Sequence, residues 1–184
     1  MPEAAPSNPH DDPSVQLMLA VADGSESALV ELIHLHQHGL LNFFVRMGAY
    51  SDAEDLVQET FVRLYKARTT YRPSARFTTF LYVVARHVWV DRGRKVMRRQ
   101  RVQDSLKVDA EISGGTTPAV RPDGIDVQEA LGKLSPKLRE VLVLNVYQGL
   151  RYQDIADVLG IPLGTVKSRI NLALEGLRVV FHED

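Results

Sequence analysis

Residues 77–101, FTTFLYVVARHVWVDRGRKVMRRQR, combine an apolar stripe with a concentration of positive charge. Spaced at the 100° per residue of an α-helix, Phe77, Leu81, Val84, Ala85 and Val88 share one face, which predicts a helix with one side in a core. Tyr82, Arg86 and Trp89 follow one another beside that face at i, i+4 and i+7. Beyond Asp91 the cations Arg92, Arg94, Lys95, Arg98, Arg99 and Arg101 crowd together in a chain whose formal net charge is only -1. Charge that local, next to flat rings, suits a groove that neutralises a phosphate backbone while unpaired bases stack. Core padding followed by a solvated helix end explains the same residues equally well, so this stretch alone leaves both readings open.

Composition narrows the choice. With 184 residues and 45% apolar content the chain can bury one sizeable core or two small ones. It has no cysteine, which excludes disulfides, thiolate metal sites and cysteine nucleophiles and is compatible with a reducing cytoplasm. The opening MPEAAPSNPHDD has neither a basic start nor an apolar run and reads as a loose tail, not an export signal. No segment approaches the roughly 20 apolar residues that span a bilayer, so direct membrane insertion is not expected. A net charge near zero argues against indiscriminate coating of DNA.

Upstream of the central stretch, Val15, Leu17, Met18 and Val21 form one helical run that breaks at Asp23-Gly24, and Ala28, Leu29, Leu32, Ile33, Leu35 and Leu40 form a second. His34 and His38 share a face of that second run, but His36 points nearly opposite and no nearby carboxylate completes a metal site. Ser51 and Glu54 have the spacing of a capping box, followed by the stripe Ala53, Leu56, Val57, Thr60, Phe61 and Leu64. The other side of this helix carries Asp52, Asp55, Gln58 and Glu59. The helix dipole accounts for the first two, whereas Gln58 and Glu59 suggest a protein-docking face. Pro73 makes YRPSAR, residues 71–76, a turn.

Apolar periodicity fails between Met97 and Ile125, where Gly114, Gly115, Pro118, Pro122 and Gly124 mark a linker between two helical modules. Ser135-Pro136 then starts a helix. Residues 151–180, RYQDIADVLGIPLGTVKSRINLALEGLRVV, have helix-turn-helix grammar. Ile155, Ala156 and Leu159 line a short helix, Gly160 permits the turn, Pro162 restarts the chain, and Val166, Ile170, Ala173 and Leu177 bury a longer helix. The start of that helix would present Leu163, Gly164, Thr165, Lys167 and Ser168, with Lys167 and Arg169 able to meet phosphate or guanine acceptors. No Gly-rich phosphate loop, nucleophile triad or paired catalytic carboxylates are found, so neither catalysis nor a metal or cofactor is expected.

The runs DAEDLVQETFVRLYKA, FTTFLYVVARHVWVDRGRK and LSPKLREVLVLNVYQGLRYQDIADVLGIPLGTVKSRI, in that order, resemble the bacterial sigma factors of the extracytoplasmic function (ECF) group. The resemblance implies an all-α chain of two small domains: a tail at 1–12, a polymerase-binding and minus-ten domain at 13–96, a linker at 97–125, and a helix-turn-helix minus-thirty-five domain at 126–184. It places RNA polymerase core on Asp52, Asp55, Gln58 and Glu59. It places the melted minus-ten element of promoter DNA on the helix bearing Tyr82, Arg86, His87, Trp89, Arg92, Arg94 and Lys95, and the minus-thirty-five element on Leu163, Gly164, Thr165, Lys167, Ser168 and Arg169. An anti-sigma factor is implied as a further partner. The reading with which it competes is a stand-alone helix-turn-helix regulator with a sensing front half. The family commonly has tryptophan at Phe80 and asparagine at His87, and often arginines at Leu172, Leu174 and Gly176; fewer phosphate contacts mean a shallower salt dependence. An imidazole cannot reproduce an amide's paired donor and acceptor. Replacing His87 by asparagine is therefore expected to change base preference in the melted element, read by selection from a randomised promoter library; an unchanged profile would show that this side chain reads no base.

Overall fold

Asp12 starts two helices at once. In the computed structural model, which describes residues 11–106 and 127–182, its Oδ1 accepts from Ser14 N at 2.9 Å and caps α1 (Pro13–Ala22), with Pro13 in the first turn. Its Oδ2 accepts from Phe77 N at 3.0 Å at the head of α4 (Phe77–Leu106). Asp12 therefore belongs to the first helix and not to the tail expected at 1–12, in keeping with Asp followed by Pro as a helix-start signal. The rest of that tail, residues 1–10, lies outside the described residues.

After Gly24, at φ +96°, Ser25 caps α2 (Glu26–Met47) by accepting from Ala28 N at 3.3 Å. The expected capping box on Ser51 does not form: α3 (Ala53–Ala67) has Asp52 at its N-cap, and the Asp52 carboxylate is taken by Arg92 instead of the backbone. The α3 stripe is buried as its periodicity predicts, and Thr60 is accommodated because its hydroxyl donates to Leu56 O at 2.7 Å. A short 3-10 turn (Arg68–Thr70) and the bend at 71–76 lead into α4, which packs Phe77, Leu81, Ala85 and Val88 against the first three helices. Helix α4 does not stop where the linker was expected to begin: residues 97–106 contain neither proline nor glycine, and the helix runs on to Leu106. The remainder of the expected linker, 107–125, falls outside the described residues.

The second module comprises α5 (Val127–Lys133), α6 (Pro136–Leu142), one π-helical turn (Val143–Tyr147), α7 (Tyr152–Leu159) and α8 (Leu163–His182). Ser135 and Pro136 take the predicted N-cap and first-turn places. Between α7 and α8, Gly160 adopts φ +64°, ψ 39°, and Val166, Ile170 and Ala173 are buried. All described regular structure is helical, as expected. The two expected modules pack on one another: α4 packs on α7, α2 packs on α6 and the π-helical turn, and the buried side chains form one continuous core.

His36 Nε2 lies 2.9 Å from Ser14 Oγ, with its ring 5.0 Å from that of Phe77. Burial holds its pKa below the ordinary value, with the nearby Asp12 charge a lesser, opposing influence. The unfolded chain then takes up a proton at higher pH than the folded chain, so the fold loses stability as pH falls below about 6.5. Lowering pH from about 7.5 to about 5.5 should depress the thermal midpoint more in the native chain than in His36→Gln; equal depressions would remove His36 from the linkage. At the α7–α8 turn, Gly160→Ala puts a Cβ in a left-handed conformation and is expected to cost about 1–2 kcal/mol in urea unfolding. No loss would mean that the turn relaxes into another geometry.

Candidate nucleic-acid interface

The exposed start of α8 follows from its burial pattern. With Val166 and Ile170 turned inward, Leu163, Gly164, Lys167 and Ser168 lie at the surface, and Thr165 and Arg169 are half-buried at its edge. Pro162 O accepts from Thr165 N and Val166 N, at 2.9 and 3.2 Å, and Ser168 Oγ donates to Thr165 O at 3.1 Å. The first turn thus presents small side chains and a cation beside a positive helix end, a combination that suits close approach to a phosphate-lined groove. Gly176, further along α8, is not an interchangeable surface position: a Cβ there would stand 2.9 Å from Leu134 Cδ2, which leaves no room for an arginine without movement.

Along α4 the sequence-predicted residues separate into two sets. His87, Arg94 and Lys95 are exposed, with His87 and Arg94 on one stripe around Asp91. Tyr82 is only 4% exposed, its hydroxyl donating to Gln148 Oε1 at 2.5 Å, and burial pushes its pKa up. Arg86 is half-buried and donates through Nε to Glu140 Oε1 at 3.2 Å. Burial raises the Glu140 pKa above the ordinary carboxylate value, while the positive charges of Arg86 and Arg169 pull it down. Trp89 is half-buried, with the Arg92 guanidinium 5.1 Å from its ring centroid.

The acidic side of α3 and the basic side of α4 meet across a groove. Arg92 donates to both oxygens of Asp52, through Nε at 2.5 Å and Nη2 at 2.9 Å. Arg63 bridges Glu59 and Asp91, each at 2.7 Å, and its hydrogen bond is the main cause holding Asp91 below the ordinary carboxylate pKa. Asp55, Gln58 and Glu59 remain exposed. Gln58 lines a recess between α2 and α3 with Gln37, His38, Leu41, Glu54 and Val57.

One feature escaped the sequence reading. The bend at 71–76 forms a recess of about 310 Å³ with Phe80 and Val83, closed on one side by Asp157 of α7. Its Tyr71 ring lies 4.9 Å from that of Phe80, and the Tyr71 hydroxyl is buried without a hydrogen-bond partner among the described residues, with a pKa pushed up to about 12 mainly by burial. Tyr71 and Arg72, just ahead of Pro73, were the signal in the sequence, but a turn alone does not reveal which ring it will face. Among the described residues no three acidic or histidine groups converge as a metal site, and no helix is long and apolar enough to cross a membrane.

Comparison with known proteins covers both modules. Residues 32–99 match the family described as Sigma-70 region 2, and residues 125–177 match Sigma-70, region 4. The chain is 34% identical over 169 residues to the ECF RNA polymerase sigma factor SigC of Mycobacterium tuberculosis, an alignment covering 91% of this chain and 90% of that one. It is 30% identical over 176 residues to the ECF RNA polymerase sigma factor SigW of Bacillus subtilis, covering 86% and 91%. Among solved structures, CnrH in complex with the cytosolic domain of CnrY is similar at a TM-score of 0.72 and 26% identity, covering 94% of this chain and 99% of that one. The sigma factor RpoE of Bartonella quintana, solved with the anti-sigma factor NepR, is similar at a TM-score of 0.64 and 29% identity, covering 80% and 92%. A region 2 module followed by a helix-turn-helix region 4 module, matched in order along nearly whole relatives, places this chain in the sigma-70 family, in its extracytoplasmic function group.

Proposed function

We propose that the chain binds RNA polymerase core in the cytoplasm and directs it to promoters. The first module, 13–96, docks through the acidic face of Asp52, Asp55, Gln58 and Glu59. Its helix α4 holds the melted minus-ten strand with Tyr82, Arg86, His87, Trp89, Arg92, Arg94 and Lys95, where stacking contributes roughly 1–3 kcal/mol per base. The second module, 126–184, reads duplex at the minus-thirty-five element through Leu163, Gly164, Thr165, Lys167, Ser168 and Arg169. Stretch 97–125 sets how far apart the modules can sit. An anti-sigma factor is the proposed negative regulator, by analogy with the RpoE relative solved with one.

The observation that carries this reading is the pairing of two matched regions in one chain, 32–99 and 125–177. A stand-alone helix-turn-helix regulator accounts for the second region and leaves the first without a purpose. The function is one of binding and positioning, with no chemical step assigned to any residue.

Transcription by core polymerase from a promoter library should yield, on addition of this chain, transcripts sharing one upstream element; no promoter-dependent product would remove the reading. Reversing charge at two exposed positions, Asp55→Lys with Glu59→Lys, should weaken core binding by about 100-fold or more, since like charges set against one another cost several kcal/mol. Circular dichroism should remain native. Undiminished binding would reject this docking face.

A further inference from the structure

The packed part of α4 ends one turn short of the cations that follow it. Among the described residues Val88 is the last buried apolar side chain of this helix, and residues 93–102 are all exposed. No dry face therefore sets the direction in which Arg92 points, and the turn at 91–92 is held by charge instead. Arg63 of α3 donates to Asp91 Oδ2 at 2.7 Å. Arg92 donates to Asp52, at the start of α3, through Nε and, at 2.9 Å, through Nη2. The two partners stand about 16 Å apart along the axis of α3. Neighbouring residues of α4 are thus drawn towards two separated points, which fixes both the height and the rotation of this turn.

Asp52 gives up a local role to do this. It stands at the N-cap of α3, where an aspartate ordinarily accepts from the first backbone N–H groups, yet it makes no such bond. Both of its oxygens go to Arg92. A guanidinium gripped through Nε and Nη2 has its plane fixed, and its Nη1 keeps both N–H groups to donate elsewhere. The same guanidinium lies 5.1 Å from the ring centroid of Trp89, and both side chains are half-buried. Ring and fork therefore stand together at the edge of the surface, attracted to one another and held from behind by a carboxylate.

We propose that Asp52, beyond its place on the acidic face, is a positioning residue for nucleic acid: it acts through Arg92, holding the guanidinium beside Trp89 as a preformed shelf. An unpaired base stacks on this shelf while Nη1 of Arg92 donates to the adjoining phosphate. Flat groups that are already fixed lose little freedom when a base arrives, so the shelf binds more tightly than the same cation on a free arm. What the shelf holds rests on the sigma-factor reading; the hold of Asp52 on Arg92, and so on the surroundings of Trp89, does not.

The test is a cycle of substitutions in the full chain, with core polymerase saturated by each variant so that docking does not enter. The ligand is a partly melted promoter probe that the native chain selects from a library, titrated at about 0.3 M salt, where the charge deleted in Asp52→Asn is largely screened. Asparagine is itself a good N-cap, so this variant keeps the start of α3. Asp52→Asn should weaken probe binding by about 3- to 10-fold. Arg92→Lys, which keeps the charge and loses the fork, should do the same. Adding Asp52→Asn to Arg92→Lys should cost less than about twofold more, and Asp52→Glu should retain most of the native affinity. Losses that multiply in the double variant would show that Asp52 acts by another route and would overturn the proposal. Trp89 is the only tryptophan in the chain, so its emission reports on the shelf without polymerase or DNA. Asp52→Asn should raise acrylamide quenching of that emission, whereas Glu54→Gln, at an exposed acid in the first turn of α3, should leave it unchanged. Equal quenching in Asp52→Asn and the native chain would overturn the proposal as well. If the native chain with polymerase binds no probe, the sigma-factor reading falls, and the Trp89 emission still decides whether Asp52 holds the shelf.

Discussion

A dry seam along α4, made by Phe77, Leu81, Ala85 and Val88, sets the rotation of that helix, and the rest of the molecule depends on it. Burying a large side chain of this kind is worth about 1.5–3 kcal/mol, so turning α4 to expose the seam would cost more than any surface contact could return. With the rotation fixed, each flank has one possible neighbour. Tyr82 and Arg86 face the second module, His87 and Arg94 face outward, and Arg92 faces the acidic start of α3.

Charge is arranged on that frame by separation, not by excess. The chain is almost neutral as a whole, yet α3 opens with acids while the far half of α4 is basic, and the two meet in the pairs Asp52–Arg92 and Arg63–Asp91. Partly exposed pairs like these contribute about 0–1 kcal/mol each. They hold the side chains in place between encounters and yield to a phosphate or to a basic partner at little cost. A protein that must touch both a large enzyme and a nucleic acid is served by contacts of this strength, because neither surface has to be dismantled before use.

Much of this was legible in the sequence wherever one rule dominated. The helix-turn-helix could be read because Gly160 and Pro162 break the 3.6-residue period at the right offset from Val166 and Ile170. The α3 stripe could be read because its apolar spacing is regular. The Ser51 cap was misjudged since a cap is settled by competition, and a partner forty residues away, Arg92, removed Asp52 from the local options. The extension of α4 past residue 97 was missed for a related reason: a solvated, arginine-rich helix needs no apolar face, so the loss of periodicity there marked the loss of a core and not the end of a helix. The burial of Tyr82 had no sequence signal at all, because its partner, Gln148, is a polar residue in another module.

Division of labour is the proposed link between these features: Tyr82 and Arg86 of α4 contact the second module, each module offers few cations to phosphate, and on the proposed function a large enzyme brings the two to act together. Promoter occupancy by the purified chain, measured with and without core polymerase at one salt concentration, tests this most directly. Selective occupancy is expected only with core polymerase present, the chain alone binding weakly and without preference. Tight, sequence-selective binding by the chain alone would contradict it.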